Sequence, residues 1–198
     1  MARPRSFDET GVLRAVRDRF WASGYAGTSI DEVAAATGLG KGSLYGAFGD
    51  KRSLFLRVFN DHGNDLLDAV REALEGPDSG AYERLEAHVL AVARATGNDT
   101  ARRGCLVAKG TAELSVDEPA VAASALRTFD AIEGLLASCV EAAQRNRDID
   151  PKADPRQLAG LLLAVLRGME ALGRAGKSKA ALIDIADAAV GLLPRVAH

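Results

Sequence analysis

Apolar positions along this chain recur at three- and four-residue spacing, the period of amphipathic helices rather than strands. Val12, Leu13, Val16, Phe20 and Trp21 share the inner face of a first helix that runs to about Ser23 and is closed by Gly24. Ser6 and Glu9 are spaced as a capping box at its start. Ser29 and Glu32 repeat the device ahead of Ile30, and that helix turns Val33, Ala34 and Thr37 inward until Gly38 ends it. Leu39 anchors the turn that follows. A short third helix over roughly 41–48 buries Leu44 and Phe48, one turn apart on a single face. Asp50 then caps a long helix over 51–74 that buries Leu54, Phe55, Val58, Phe59, Leu66, Leu67 and Val70.

The stretch EGPDSG at 75–80 reads as a linker, followed by expected helices at 81–96, 102–114, 119–146, 155–173 and 179–193. Pro119 and Pro155 suit first-turn positions behind acidic caps, and Ser178 can cap the last helix. The pattern predicts an all-α chain with a small three-helix head at 1–50 and a larger helical body at 51–198. The last two helices carry more apolar residues than one buried face requires, among them Leu158, Leu161, Leu162, Val165, Leu182, Ile183, Ile185 and Val190. Ala159, Gly160, Ala164 and Gly168 also allow close helix contact. The helices 155–173 and 179–193 can therefore pair with those of a second copy in a four-helix, two-fold homodimer interface. Filling the core of a single copy is the alternative.

The segment 30–51, IDEVAAATGLGKGSLYGAFGDK, has the form of a helix-turn-helix whose second helix presents Lys41, Ser43 and Tyr45. Gly40, Gly42 and Gly46 lower its helix propensity by about 1 kcal/mol each relative to alanine. Packing must hold this helix, and close approach of another surface accounts for the glycines. The run GLGKGS at 38–43 has some features of a phosphate-cradling loop. Ala35 stands where that loop needs glycine, Gly42 stands where Ser or Thr must follow the lysine, and no strand precedes it, so nucleotide binding is set aside.

Charge sharpens this reading. The net charge is −2, yet residues 1–60 carry nine Lys and Arg against six Asp and Glu, and the remainder carries sixteen against twenty-one. A basic head on an acidic body suits a reader of double-stranded DNA. Lys51 and Arg52 oppose the dipole of the helix they begin, as expected where a phosphate approaches. Arg3 and Arg5 in the N-terminal arm can enter a minor groove or belong to a frayed end. MARPRSFDET is not an apolar leader, and no run approaches the roughly 18 apolar residues of a membrane span, so the expected location is the cytoplasm. Two cysteines and the scattered His62, His88 and His198 lead us to expect no disulfide framework, metal or cofactor.

The order Thr28, Ser29, Ile30, Val33, Ala34, Gly38, Leu39, then KGSLYGAFGDKRSLF, resembles the DNA-binding domain of the TetR family of transcriptional regulators over about residues 7–59. The resemblance implies a dimeric repressor with a helical ligand-binding and dimerisation body. It assigns DNA contacts to Thr28, Lys41, Ser43, Tyr45 and Lys51, the last two chiefly at phosphates. Ala47 departs from the histidine that the family often carries there.

In the body, ARRGCLVAKGTAEL places Cys105 after Arg102 and Arg103 and one turn before Lys109. Nearby cations and a first-turn position favour thiolate, making Cys105 a candidate oxidant or electrophile sensor; a small buried hydrophobe is the alternative. The GCL run also resembles a TetR subgroup in which some members sense redox state through the cysteine, and which usually has Asn where Lys109 stands. Cys139 reads as core. His88, Lys109 and Glu113 are candidate ligand contacts within a pocket between helices 81–146, the last two alternatively satisfying each other. The ligand is not identified by sequence. The leading expectation is a DNA-binding regulator and not an enzyme. A helical ligand-binding module without DNA binding, and a Cys105 nucleophile with His88 as base, are the alternatives.

Overall fold

The computed structural model describes residues 7–196; Ser6, the arginines of the N-terminal arm and His198 lie outside the described residues. Asp8 supplies the first helix's cap, accepting the Gly11 amide at 3.1 Å, and the helix starts two residues later than the sequence spacing suggests. Helix α1 covers Glu9–Ser23, α2 Ile30–Thr37, α3 Lys41–Phe48 and α4 Lys51–Leu74. Helices α5 Ala81–Asn98, α6 Leu106–Leu114, α7 Pro119–Arg145, α8 Pro155–Arg174 and α9 Lys179–Gly191 complete an all-helical chain.

Local chemistry explains most boundaries. Asp50, Asp154 and Ser178 accept first-turn amides of α4, α8 and α9. Glu118 makes no side-chain cap for α7 and instead pairs with Arg52 of α4. Helix α6 begins four residues later than expected because Arg102 and Gly104 adopt left-handed φ of 51° and 65°, which no helix accommodates. The last helix ends earlier than expected, and the chain beyond it returns along residues 148–150, with Asp150 N donating to Pro194 O at 2.7 Å.

Two apolar cores result. One joins the far end of α4 to α5, α7, α8 and α9 around Leu85, Ile132, Leu136, Leu162 and Leu166. The other lies beneath the head, where Val12, Val16, Phe20, Val33 and Leu44 meet Leu54, Phe55, Val58 and Phe59 of α4. This second core continues into Cys105, Leu106, Val107 and Val121, so body residues help to seat the head. Phe20 and Phe55 meet edge to face at 5.1 Å, and each buried ring stabilises the fold by about 1.5–3 kcal/mol. Gly110 lets α6 pack closely on Phe59 of α4, since a Cβ there would press 2.5 Å from the Phe59 ring. Leu66 and Leu67 are only half-buried.

Candidate nucleic-acid interface and its link to the body

Ser29 and Glu32 form the expected capping box: the Glu32 amide donates to Ser29 Oγ at 3.2 Å, and the Ser29 amide donates to Glu32 Oε2 at 2.7 Å. The Ser29 amide and then its hydroxyl, both donating to the carboxylate, hold the Glu32 carboxyl below its ordinary range. Val33 is the buried anchor of α2, while Ala34 and Thr37 are half-buried. Gly38 turns the chain with φ 69°, ψ 9°, a left-handed conformation suited to glycine.

Helix α3 buries Leu44, and Phe48 is half-buried with its ring 6.0 Å from that of Phe7. Its opposite side is bare. Open space surrounds Gly40, Gly42 and Gly46, so these glycines are not demanded by packing within the chain. No side chain among the described residues caps the N-terminus of α3, where the Ser43 amide donates to Gly40 O at 2.9 Å.

The five expected DNA contacts do not share one environment. Lys41 and Tyr45 lie one turn apart on the exposed side of α3, and Ser43 is half-buried. Lys41 reaches back to Asp31 of α2 at 2.6 Å, and that carboxylate raises its pKa. Lys51 begins α4 with its ammonium 4.3 Å from the centre of the Tyr25 ring. Thr28 corrects the outward placement: its side chain is buried, and its hydroxyl donates to Gly24 O at 2.7 Å, fastening the α1–α2 turn from within.

The body grips that same turn. Lys109 of α6 donates to the carbonyls of Trp21 at 2.8 Å and Ala22 at 3.1 Å, at the C-terminal end of α1. Glu113, one turn along α6, accepts the amides of Tyr25 at 2.9 Å and Ala26 at 2.6 Å. The cation thus meets the carbonyl end of a helix and the anion meets free amides, the polarity that a helix terminus favours. Neither residue's contacts are to the other. Both border an open hollow with Arg174. The Trp21 indole N–H adds a third tie, donating to Gly104 O at 2.7 Å just before α6.

Cys105 is the N-cap of α6 rather than a first-turn residue, and it is buried. Arg102 and Arg103 are not its cations: Arg103 lies over Trp21 and near Asp99. The thiol accepts from Arg167 Nη1 of α8 at 3.2 Å and lies beside Glu170. Burial and the Glu170 charge push its pKa up, opposed by Arg167. His88 is half-buried on α5, its pKa lowered by burial and then by Arg167. Cys139 is buried as expected, its thiol donating to Ala81 O. Arg167 and Glu170, 2.9 Å apart within the apolar run of α8, were not singled out by the sequence reading, although an i,i+3 charge pair there is a visible signal. Among the described residues there is no group of acidic, histidine and cysteine side chains suited to a metal, and no helix is long and apolar enough to cross a membrane.

A three-helix head with an exposed, glycine-lined third helix and a helical body defines a helix-turn-helix regulator. Residues 12–58 match the bacterial regulatory proteins of the tetR family, and residues 81–189 match the tetracyclin repressor-like C-terminal domain. The chain belongs to the TetR family. It is 28% identical over 195 residues to the HTH-type transcriptional repressor ComR of Escherichia coli K12, covering 98% of this chain and 92% of that protein. With the HTH-type transcriptional repressor DhaR of Mycobacterium sp. GP1 it shares 26% identity over 149 residues, 75% of this chain and 73% of the relative. Among solved structures, a cysteine mutant of the TetR family regulator CifR bound to 26-bp double-strand operator DNA superposes with a TM-score of 0.85 at 23% identity, covering 98% of this chain and all of the other.

Proposed function

We propose that the chain is a homodimeric transcriptional repressor that binds a double-stranded DNA operator in the cytoplasm and releases it when a small-molecule inducer binds or Cys105 is modified. Lys41, Ser43, Tyr45 and Lys51 are the proposed DNA-facing groups, with Tyr45 and Lys51 at phosphates. Thr28 acts from beneath, by seating the turn ahead of α2. The functional division falls at residues 1–50 and 51–198, with the second core running beneath both.

The observation that carries this reading is the grip of α6 on the head. Lys109 and Glu113 hold the backbone of the α1–α2 turn, while Cys105 at the start of α6 answers to Arg167 of α8. A shift of α8 or of the ligand-facing body therefore has a route to the head that needs only a rigid α6. Self-association through α8 and α9 is supported by the exposed apolar side chains Leu161, Leu172 and Leu192, with the exposed small residues Ala164 and Gly168 beside the first two. Such a dimer presents two heads to one DNA face.

Fluorescence anisotropy with the intergenic DNA flanking the gene, on reduced and oxidised protein, tests the proposal. Tight, salt-sensitive binding is expected from a dimer. Absence of binding across the flanking DNA, or a monomer by sedimentation at working concentration, counts against it.

A further inference from the structure

The last turn of α8 and the loop ahead of α6 enclose a cleft of about 230 Å3 beside Trp21, with Asp99, Arg102, Arg103, Glu170 and Arg174 as its charged groups. Both acids are already engaged. Asp99 accepts the amides of Arg103 at 2.7 Å and Gly104 at 3.4 Å, and Glu170 lies 2.9 Å from Arg167. Arg102 and Arg174, by contrast, have no carboxylate within ion-pair distance among the described residues.

The arginines are also held in place. Arg102 keeps a left-handed φ of 51°, and its guanidinium rests against Gly176, where a Cβ would stand 2.9 Å from Nη1. Arg103 lies 4.6 Å over the Trp21 ring, with its buried Nε 3.6 Å from Asp99 Oδ1 and making no hydrogen bond among the described residues. The stem of Arg174 packs against Gly104. Three arginines thus line one cleft, Arg174 bordering the Lys109 hollow as well, in a body whose overall charge is negative. Its walls, including Trp21, Ala95 and Gly173, are partly apolar.

We propose that this cleft binds a small organic carboxylate with a compact apolar body, gripped by Arg102 and Arg174 and lying against Trp21. Guanidinium forks suit a carboxylate, and the indole face suits a flat apolar body. The bound anion sits at the tie between Trp21 and Gly104, so its occupancy draws Arg103 from the indole and weakens the hold of α6 on the head. This consequence rests on the regulator reading above; the binding itself does not.

Trp21 is the chain's one tryptophan, so its fluorescence reports on the cleft directly. The full chain is titrated with sodium benzoate at constant ionic strength, beside Arg174→Gln and Arg102→Asn, the latter keeping a residue tolerant of left-handed φ. A saturable change is expected, with a midpoint roughly tenfold weaker in each variant whose melting curve matches the parent. No saturable change, or the same midpoint in both variants, overturns the proposal. So does saturation by inorganic phosphate but not by benzoate. Anisotropy on the same samples separates the two readings: DNA binding with no fluorescence response overturns the cleft alone, and a response without DNA binding overturns the regulator alone.

Discussion

The Lys109 ammonium lies 2.8 Å from the carbonyl oxygen of Trp21, closing the C-terminal end of a helix 88 residues earlier in the chain. A charge-assisted bond to otherwise open helix carbonyls contributes about 1–2 kcal/mol in a partly buried setting. Lys109→Met keeps the stem and loses the charge. Urea unfolding is expected to show a loss of about 1–2 kcal/mol, together with weaker operator binding. A stable variant with unchanged operator affinity would remove Lys109 from the coupling.

Gly24 is the counterpart on the other side of the turn. Its φ is +79°, and a Cβ there would stand 2.7 Å from Glu113 Oε2. Gly24→Ala therefore meets both backbone strain and the clamp, and is expected to cost about 1–3 kcal/mol. In a Glu113→Ala background the crowding vanishes and only the strain remains. A double-mutant cycle should give a coupling energy of at least about 0.5 kcal/mol; additive effects would mean that the carboxylate does not sit over the turn.

These two residues mark where sequence reading stops. The caps Ser29, Asp50, Asp154 and Ser178 were legible because each bonds within three residues of itself, a distance that local spacing encodes. Lys109 and Glu113 were legible as a shared helix face, but what they face is a turn more than 80 residues away in sequence. Thr28 followed the same logic: the motif resemblance placed it among DNA contacts, while its bond to Gly24 O depends on how the turn closes. The late start of α6 depended on φ at Arg102, an ordinary helix former by propensity. Gly104, just ahead of Cys105, was the available hint.

Lys51 and Lys41 differ in what they give up on meeting DNA. Lys51 lies over the Tyr25 ring with no carboxylate partner among the described residues, whereas Lys41 is paired with Asp31. Lys51→Ala should weaken binding to all sequences and reduce the salt dependence, log K against log salt, by about 1. Lys41→Ala should change the slope less, because its charge is already partly neutralised. Equal slopes for the parent and Lys51→Ala would exclude Lys51 from the phosphate contacts.

The half-buried His62 and His88 make the fold sensitive to acid. Burial lowers both pKa values, with Arg17 adding to the effect at His62 and Arg167 at His88. The unfolded chain therefore binds more protons than the folded one just below the ordinary histidine range, so stability falls as pH drops from neutrality through that range towards the folded values. Urea midpoints measured from neutral pH downwards should decline, and His88→Gln should flatten the decline. His62→Gln should flatten it too, but would also lose the packing of the imidazole against Trp21, where the rings lie 4.9 Å apart. Carboxylates titrate mainly at lower pH, so a decline that begins only there and ignores both substitutions would show that the histidines do not carry it.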